Sequence, residues 1–181
     1  MIIASSKNKK GFTLIETLVA ITIVTLAVIA PFEAIQRIII ASNISREQFI
    51  ASFLAQEGAE YVRFVRYNNY LAHRNESNYA DHILDGLENC ISPNTCTVDA
   101  SFNAPLPTVE CSASSSCVPL QYNANTGVYS QQTGAGNASS MYTRSVQIED
   151  HGDYQTVTVT VSWNDHGAHD MQISEDTYDW L

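Results

Sequence analysis

The sequence predicts an α+β chain in which a long N-terminal α-helix is laid against a small antiparallel β-sheet. Three observations carry this. Residues 12–32 form an almost unbroken apolar run, 21 residues in which Glu16 is the sole charge. Helical periodicity then continues to about Tyr70. Near the other end "YQTVTVTVSW" alternates strictly, with Val157, Val159, Val161 and Trp163 on one face and Thr156, Thr158, Thr160 and Ser162 on the other. A helix with an apolar stripe and a sheet with one apolar face each need cover, and each supplies it to the other.

The length of 181 residues allows one ordinary domain plus a segment outside its core. Net charge is −10, unevenly placed: all three lysines (Lys7, Lys9, Lys10) precede the run, leaving six arginines against 19 acids from Phe12 onward. From Arg74 to Met141 no lysine or arginine follows Arg74 itself. No basic stripe invites nucleic acid, and the acidic balance reads as solubility.

The run from Phe12 to Phe32 is long enough to span a bilayer, which takes about 20 apolar residues. The lysines on its N-terminal side predict a cytoplasmic N-terminus and an extracytoplasmic body. A cleaved secretory signal fits less well, since its apolar core is about 7–15 residues and Pro31 directly follows the candidate site Val28-Ile29-Ala30. A permanent anchor fits the topology but leaves Glu16 unexplained, because an ionised side chain in hydrocarbon is costly without a partner.

Beyond the run the helix is expected to kink at Pro31 rather than end there, because the periodicity resumes. Residues 33–70 read as its amphipathic continuation. Ile50, Leu54, Gly58, Val62 and Val65 form a stripe that Phe49, Phe53 and Tyr61 widen, with Glu47, Gln56, Glu60 and Arg63 opposite. Glu60 and Arg63 are close enough to pair. One helix from Phe12 to Tyr70 would run about 85–90 Å at ~1.5 Å per residue.

Residues 71–181 form the expected extracytoplasmic head. "YADHILDGLE" suggests a short helix, and 89–118, with its cysteines, prolines and serines, reads as stapled loop. Cys90/Cys96 and Cys111/Cys117 share one spacing. Behind a membrane-targeting segment they read as disulfides, neighbour pairing being the simplest of three connectivities. A four-thiolate zinc site is the alternative, although five intervening residues is wider than the usual knuckle. "PLQYNANTGVYSQ" reads as a hairpin, "QQTGAGNASS" as a connector, and "SVQIE", "YQTVTVTVSW" and "AHDMQIS" as a meander with His169, Met171 and Ile173 on one face.

The junction "KKGFTLIE" places basic residues, Gly11, Phe12, Thr13, Leu14, Ile15 and Glu16 in an order that strongly resembles the class III signal of type IV pilins and pseudopilins. The resemblance is strong over residues 7–32, moderate to about Tyr70 and weak beyond. It implies a pilin-like fold, a leader 1–11 removed by prepilin peptidase, cleavage between Gly11 and Phe12, and N-methylation of Phe12. It further implies that residues 12–32 are a membrane span before assembly and filament core afterwards. Within that core Glu16 would pair with the Phe12 amine of a neighbouring subunit and set register. The physics agrees: a buried acid and amine are each costly alone and tolerable together. A milder role for Glu16 is also open, since an acid in the first turn favours the helix dipole.

Chemistry is otherwise sparse. Asp165, His166, His169 and Asp170, or the "EDHGDY" turn, could be imagined as metal sites, yet their residue types are those of turns. The serines at 112–116 and 139–140 have no elbow or positioned base, no phosphate-binding loop is present, and two N-glycan acceptor patterns are too common to use. An enzyme, a cofactor and a nucleic-acid partner are therefore not expected. Expected partners are the prepilin peptidase, other pilin subunits, the assembly platform and the inner membrane. "ETLVAI" and two small mid-chain cysteine pairs lean toward a minor pilin, with a secretion or competence pseudopilin and a tip-located binding subunit as alternatives.

Overall fold

The computed structural model describes residues 11–101, 108–111, 117–165 and 167–178. The chain divides into two compact units, Met1–Arg46 and Glu47–Leu181. One helix, α1 (Leu14–His73, 60 residues), contributes to both and continues through Pro31 as a single element. Over residues 14–32, in the first unit, α1 is apolar on every side apart from Glu16 and its threonines: Leu14, Ile15, Leu18, Ile21, Val24 and Leu26 are all exposed. A helix hydrophobic all round is built for a surrounding that is not water.

In the second unit the C-terminal part of α1 covers a sheet. Thr95–Thr97 (β1), Val109–Cys111 (β2), Thr143–Asp150 (β6), Tyr154–Asn164 (β7) and Ala168–Tyr178 (β8) assemble antiparallel in the order β2-β1-β6-β7-β8. A smaller sheet joins Gln121–Asn123 (β3), Val128–Ser130 (β4) and Asn137–Ser139 (β5) in the order β4-β3-β5. The alternation of β7 does what it predicts. Val157, Val159, Val161 and Trp163 are buried with Val146 and Ile148 of β6. On the other face Thr156 Oγ1 donates to Asp176 Oδ1 (2.8 Å), a cross-strand pair.

The helix face that meets this sheet is Ala51, Leu54, Ala55, Gly58, Ala59, Val62 and Val65. Phe49 and Phe53, expected to widen it, are instead 68% and 66% exposed, and Glu47 turns inward to accept a hydrogen bond from Trp163 Nε1 (3.1 Å). Small residues explain the choice of face. Alanines and Gly58 let the helix approach the strands more closely than a face carrying phenylalanine could.

At Gly58 this approach is at its limit. A Cβ there would stand 3.0 Å from both Arg144 Cδ and Val159 Cγ1. Arg144 cannot yield, since its guanidinium donates to the Leu54 carbonyl (3.0 Å), Glu57 Oε2 (2.7 Å) and the Val98 carbonyl (2.9 Å). Gly58→Leu is therefore expected to destabilise by about 1–3 kcal/mol through overpacking. A rise in thermal midpoint, as helix propensity alone would give, would contradict this packing.

Three other expectations need correction. "YADHILDGLE" forms no α-helix, only a 3-10 turn at Tyr79–His82 and a second one after it at Glu88–Cys90. The region 89–118 is not all loop, because β1 and β2 lie in it and extend the main sheet, with Cys96 on β1 and Cys111 on β2. The connector "QQTGAGNASS" contributes β5, which pairs with β3. The hairpin itself forms, turned by Gly127 at φ +73°, a conformation that suits glycine. Both disulfides join sequence neighbours, Cys90–Cys96 and Cys111–Cys117, and no free cysteine remains.

Candidate functional site

Gly11, Phe12 and Thr13 are non-helical and exposed, and α1 begins at Leu14. Thr13 starts the helix. Its carbonyl accepts from the Glu16 and Thr17 amides (3.1 and 3.2 Å), and its hydroxyl oxygen lies 3.4 Å from the Glu16 amide. Thr13 and Glu16 thus stand at the two positions of a capping box, Ncap and N3, and the acid lies in the first turn where the helix dipole favours it. The motif therefore encodes a helix start as well as a junction.

The polar groups within the apolar segment are handled locally, with one exception. The hydroxyls of Thr17, Thr22 and Thr25 donate to the Leu14, Val19 and Thr22 carbonyls at 2.8, 2.8 and 2.9 Å, so they enter an apolar medium already satisfied. The Glu16 carboxylate makes no hydrogen bond among the described residues. At Gly11 nothing lies within 4 Å of where a Cβ would be, so the fold itself makes no demand for glycine there. A requirement for glycine comes from whatever approaches the junction from outside.

Gly11, Phe12 and Glu16 are thus brought together at one helix end. Pro31 lies far along α1, and the four cysteines lie in the head. Lys7, Lys9 and Lys10 lie outside the described residues, as does His166. His169 stacks on Trp163 (ring centroids 5.4 Å), with Nε2 3.1 Å from the Asp165 carbonyl. His151 stacks on Tyr154, and its amide donates to the Tyr154 carbonyl (3.0 Å) in the β6–β7 turn.

Two features escaped the sequence reading. Arg144 is fully buried inside β6, where only its position on the inward side of "TRSVQI" could have exposed it. His73 and His82 come together at the end of α1, where a hydrogen bond with Asp85 raises the His82 pKa above the usual histidine value. The spacing of His73, Glu76 and His82 was a weak signal for that meeting.

Residues 6–30 match the family model described as the prokaryotic N-terminal methylation motif. No curated protein and no solved structure matches the chain. The motif marks a prepilin peptidase substrate and points to a structural subunit. Residues 6–30 thus carry an N-terminal methylation motif that supports a type IV pilin-like prepilin, on an α+β chain whose long helix and antiparallel sheets are consistent with a pilin fold.

Proposed function

We propose that this chain is a structural subunit, of minor-pilin type, of a type IV pilus or a related filament. It is held in the inner membrane by α1 with Lys7, Lys9 and Lys10 on the cytoplasmic side, cut after Gly11, methylated on Phe12 and assembled through its helix. The observation that carries the reading is the methylation motif on a helix whose apolar segment, residues 14–32, exposes apolar side chains all round and holds one carboxylate, Glu16, without a hydrogen bond among the described residues. The second unit offers further support. Phe49, Phe53, Phe64, Tyr67 and Leu71 stay exposed and fall on one side of α1, opposite the buried face, as a helix that packs against other helices requires.

The minor-pilin assignment rests on "ETLVAI" and on the two small mid-chain disulfides, in place of one C-terminal loop. The two small disulfides also fit a head exposed to an oxidising compartment.

The test is the intact mass and N-terminus of the protein made with and without its prepilin peptidase. Loss of residues 1–11 and one added methyl on Phe12 are expected with the peptidase, and an uncut chain for Gly11→Val. A wild-type chain left uncut by an active peptidase would reduce the reading to a plain anchored domain.

A further inference from the structure

We propose that His73, Glu76 and His82 form a binding site for one divalent transition-metal cation of the zinc, nickel or copper class, with Asp85 orienting His82. His73 is the last residue of α1, Glu76 lies in the turn that follows, and His82 closes the 3-10 turn Tyr79–His82. One ligand atom from each lies within 4.8 Å of the other two. Glu76 Oε1 is 3.0 Å from His73 Nδ1, and Glu76 Oε2 is 3.9 Å from His82 Nε2. The two imidazoles stack, centroids 4.2 Å apart and planes 18° from parallel, so both present ring nitrogens to one carboxylate.

The surroundings of His82 set its tautomer. Asp85 Oδ2 lies 2.9 Å from Nδ1, and an ionised carboxylate only accepts, so the proton sits on Nδ1. In the neutral ring Nε2 is then a lone pair facing Glu76, with the Asn78 Nδ2 group 3.4 Å away as a donor toward it. A histidine that donates one ring N–H to a carboxylate and aims the other nitrogen at a second ligand is the arrangement found behind metal-bound imidazoles. At His73 a cation would replace the proton that Nδ1 donates to Glu76.

The donor set selects the ion. Two imidazoles and one carboxylate suit zinc, copper or nickel, whereas calcium and magnesium prefer oxygen donors. Bonds of about 2.0–2.2 Å would draw His82 Nε2 in toward the His73–Glu76 pair. The side chains are half-exposed and free to make that small rotation, which leaves a further coordination position to water. Local charge favours a cation too. Asp85 also lines a cleft of about 390 Å³ with Asp81, Glu88 and Asp150, and the end of a helix carries negative partial charge. Asn69 Nδ2 already ties this loop to α1 through the Ile83 and Asp85 carbonyls (3.1 and 2.8 Å). The metal would tie it a second time.

The experiment is titration of the full-length detergent-solubilised protein with Zn²⁺ alone, in competition with a chromogenic chelator and in thermal unfolding. One equivalent is expected for the wild type, with a raised melting temperature that excess Ca²⁺ does not reproduce. His73→Gln with His82→Gln should lose both the equivalent and the thermal shift while keeping the wild-type circular dichroism. Asp85→Asn should weaken binding about 10-fold or more while keeping the stoichiometry. Absence of zinc uptake by the wild type overturns the proposal. So does wild-type affinity in the double variant, which would move the zinc to another group such as His151 or His169.

Discussion

Glu16→Ala is expected to leave cleavage and membrane storage intact and to reduce incorporation into filaments by about 100-fold or more. The size follows from what the residue does in each setting. As a first-turn acid it contributes about 0.3–1 kcal/mol to its own helix, a loss the rest of α1 can absorb. In the proposed pairing with a neighbour's Phe12 amine in a filament core, its removal strands a cation, at about 3–5 kcal/mol. At ~1.4 kcal/mol per tenfold, the second effect is a 100-fold change or more, and the first is less than tenfold. The nearby threonine hydroxyls donate within the helix and carry no charge, so they offer no substitute counter-charge. Glu16→Gln separates the roles, since it keeps the shape and removes the charge. Immunoblots of sheared filaments against membranes read the result. Wild-type incorporation of the Ala or Gln variant would reduce Glu16 to a capping residue.

Arg144→Ala is expected to cost about 3–5 kcal/mol in denaturant unfolding of the head, from a cavity and from stranded carbonyls. The side chain is 0% exposed and reaches from β6 to the Leu54 carbonyl of α1 and the Val98 carbonyl just past β1. Truncation leaves both carbonyls without the guanidinium and opens a cavity against Gly58. The Glu57 carboxylate suffers less, being 40% exposed and able to hydrate once its partner is gone. Arg144→Met, which refills most of the volume without the donors, should lose about 1–3 kcal/mol. Equal losses for Ala and Met would show that the hydrogen bonds, and not the packing, carry the effect.

The sequence by itself determined the parts with long or strict patterns. The apolar run and its one acid, the junction from Lys9 to Glu16 and the two-residue period of β7 each repeat or align over enough residues to be read without a partner. The half-buried His169, Met171 and Ile173 followed from the same period one strand later. Three-residue strands such as β1, β2 and β5 are too short to show any period, so only their neighbours reveal them.

The stripe of Leu54, Gly58, Val62 and Val65 was legible from its period, but its edges were not, since hydrophobicity favoured Phe49 and Phe53. Close contact with β6 and β7 decided them, by rewarding Ala51, Ala55 and Ala59. Arg144 lies inside because backbone carbonyls from α1 and the Val98 loop converge on it, a coincidence of distant segments. His73 and His82 meet because the chain turns back after α1 and Asn69 holds that turn. Local pattern sets which segments are helix, strand or membrane span. Which side chains share a site depends on approach distances between segments far apart in the chain, and those exist only once the chain has folded.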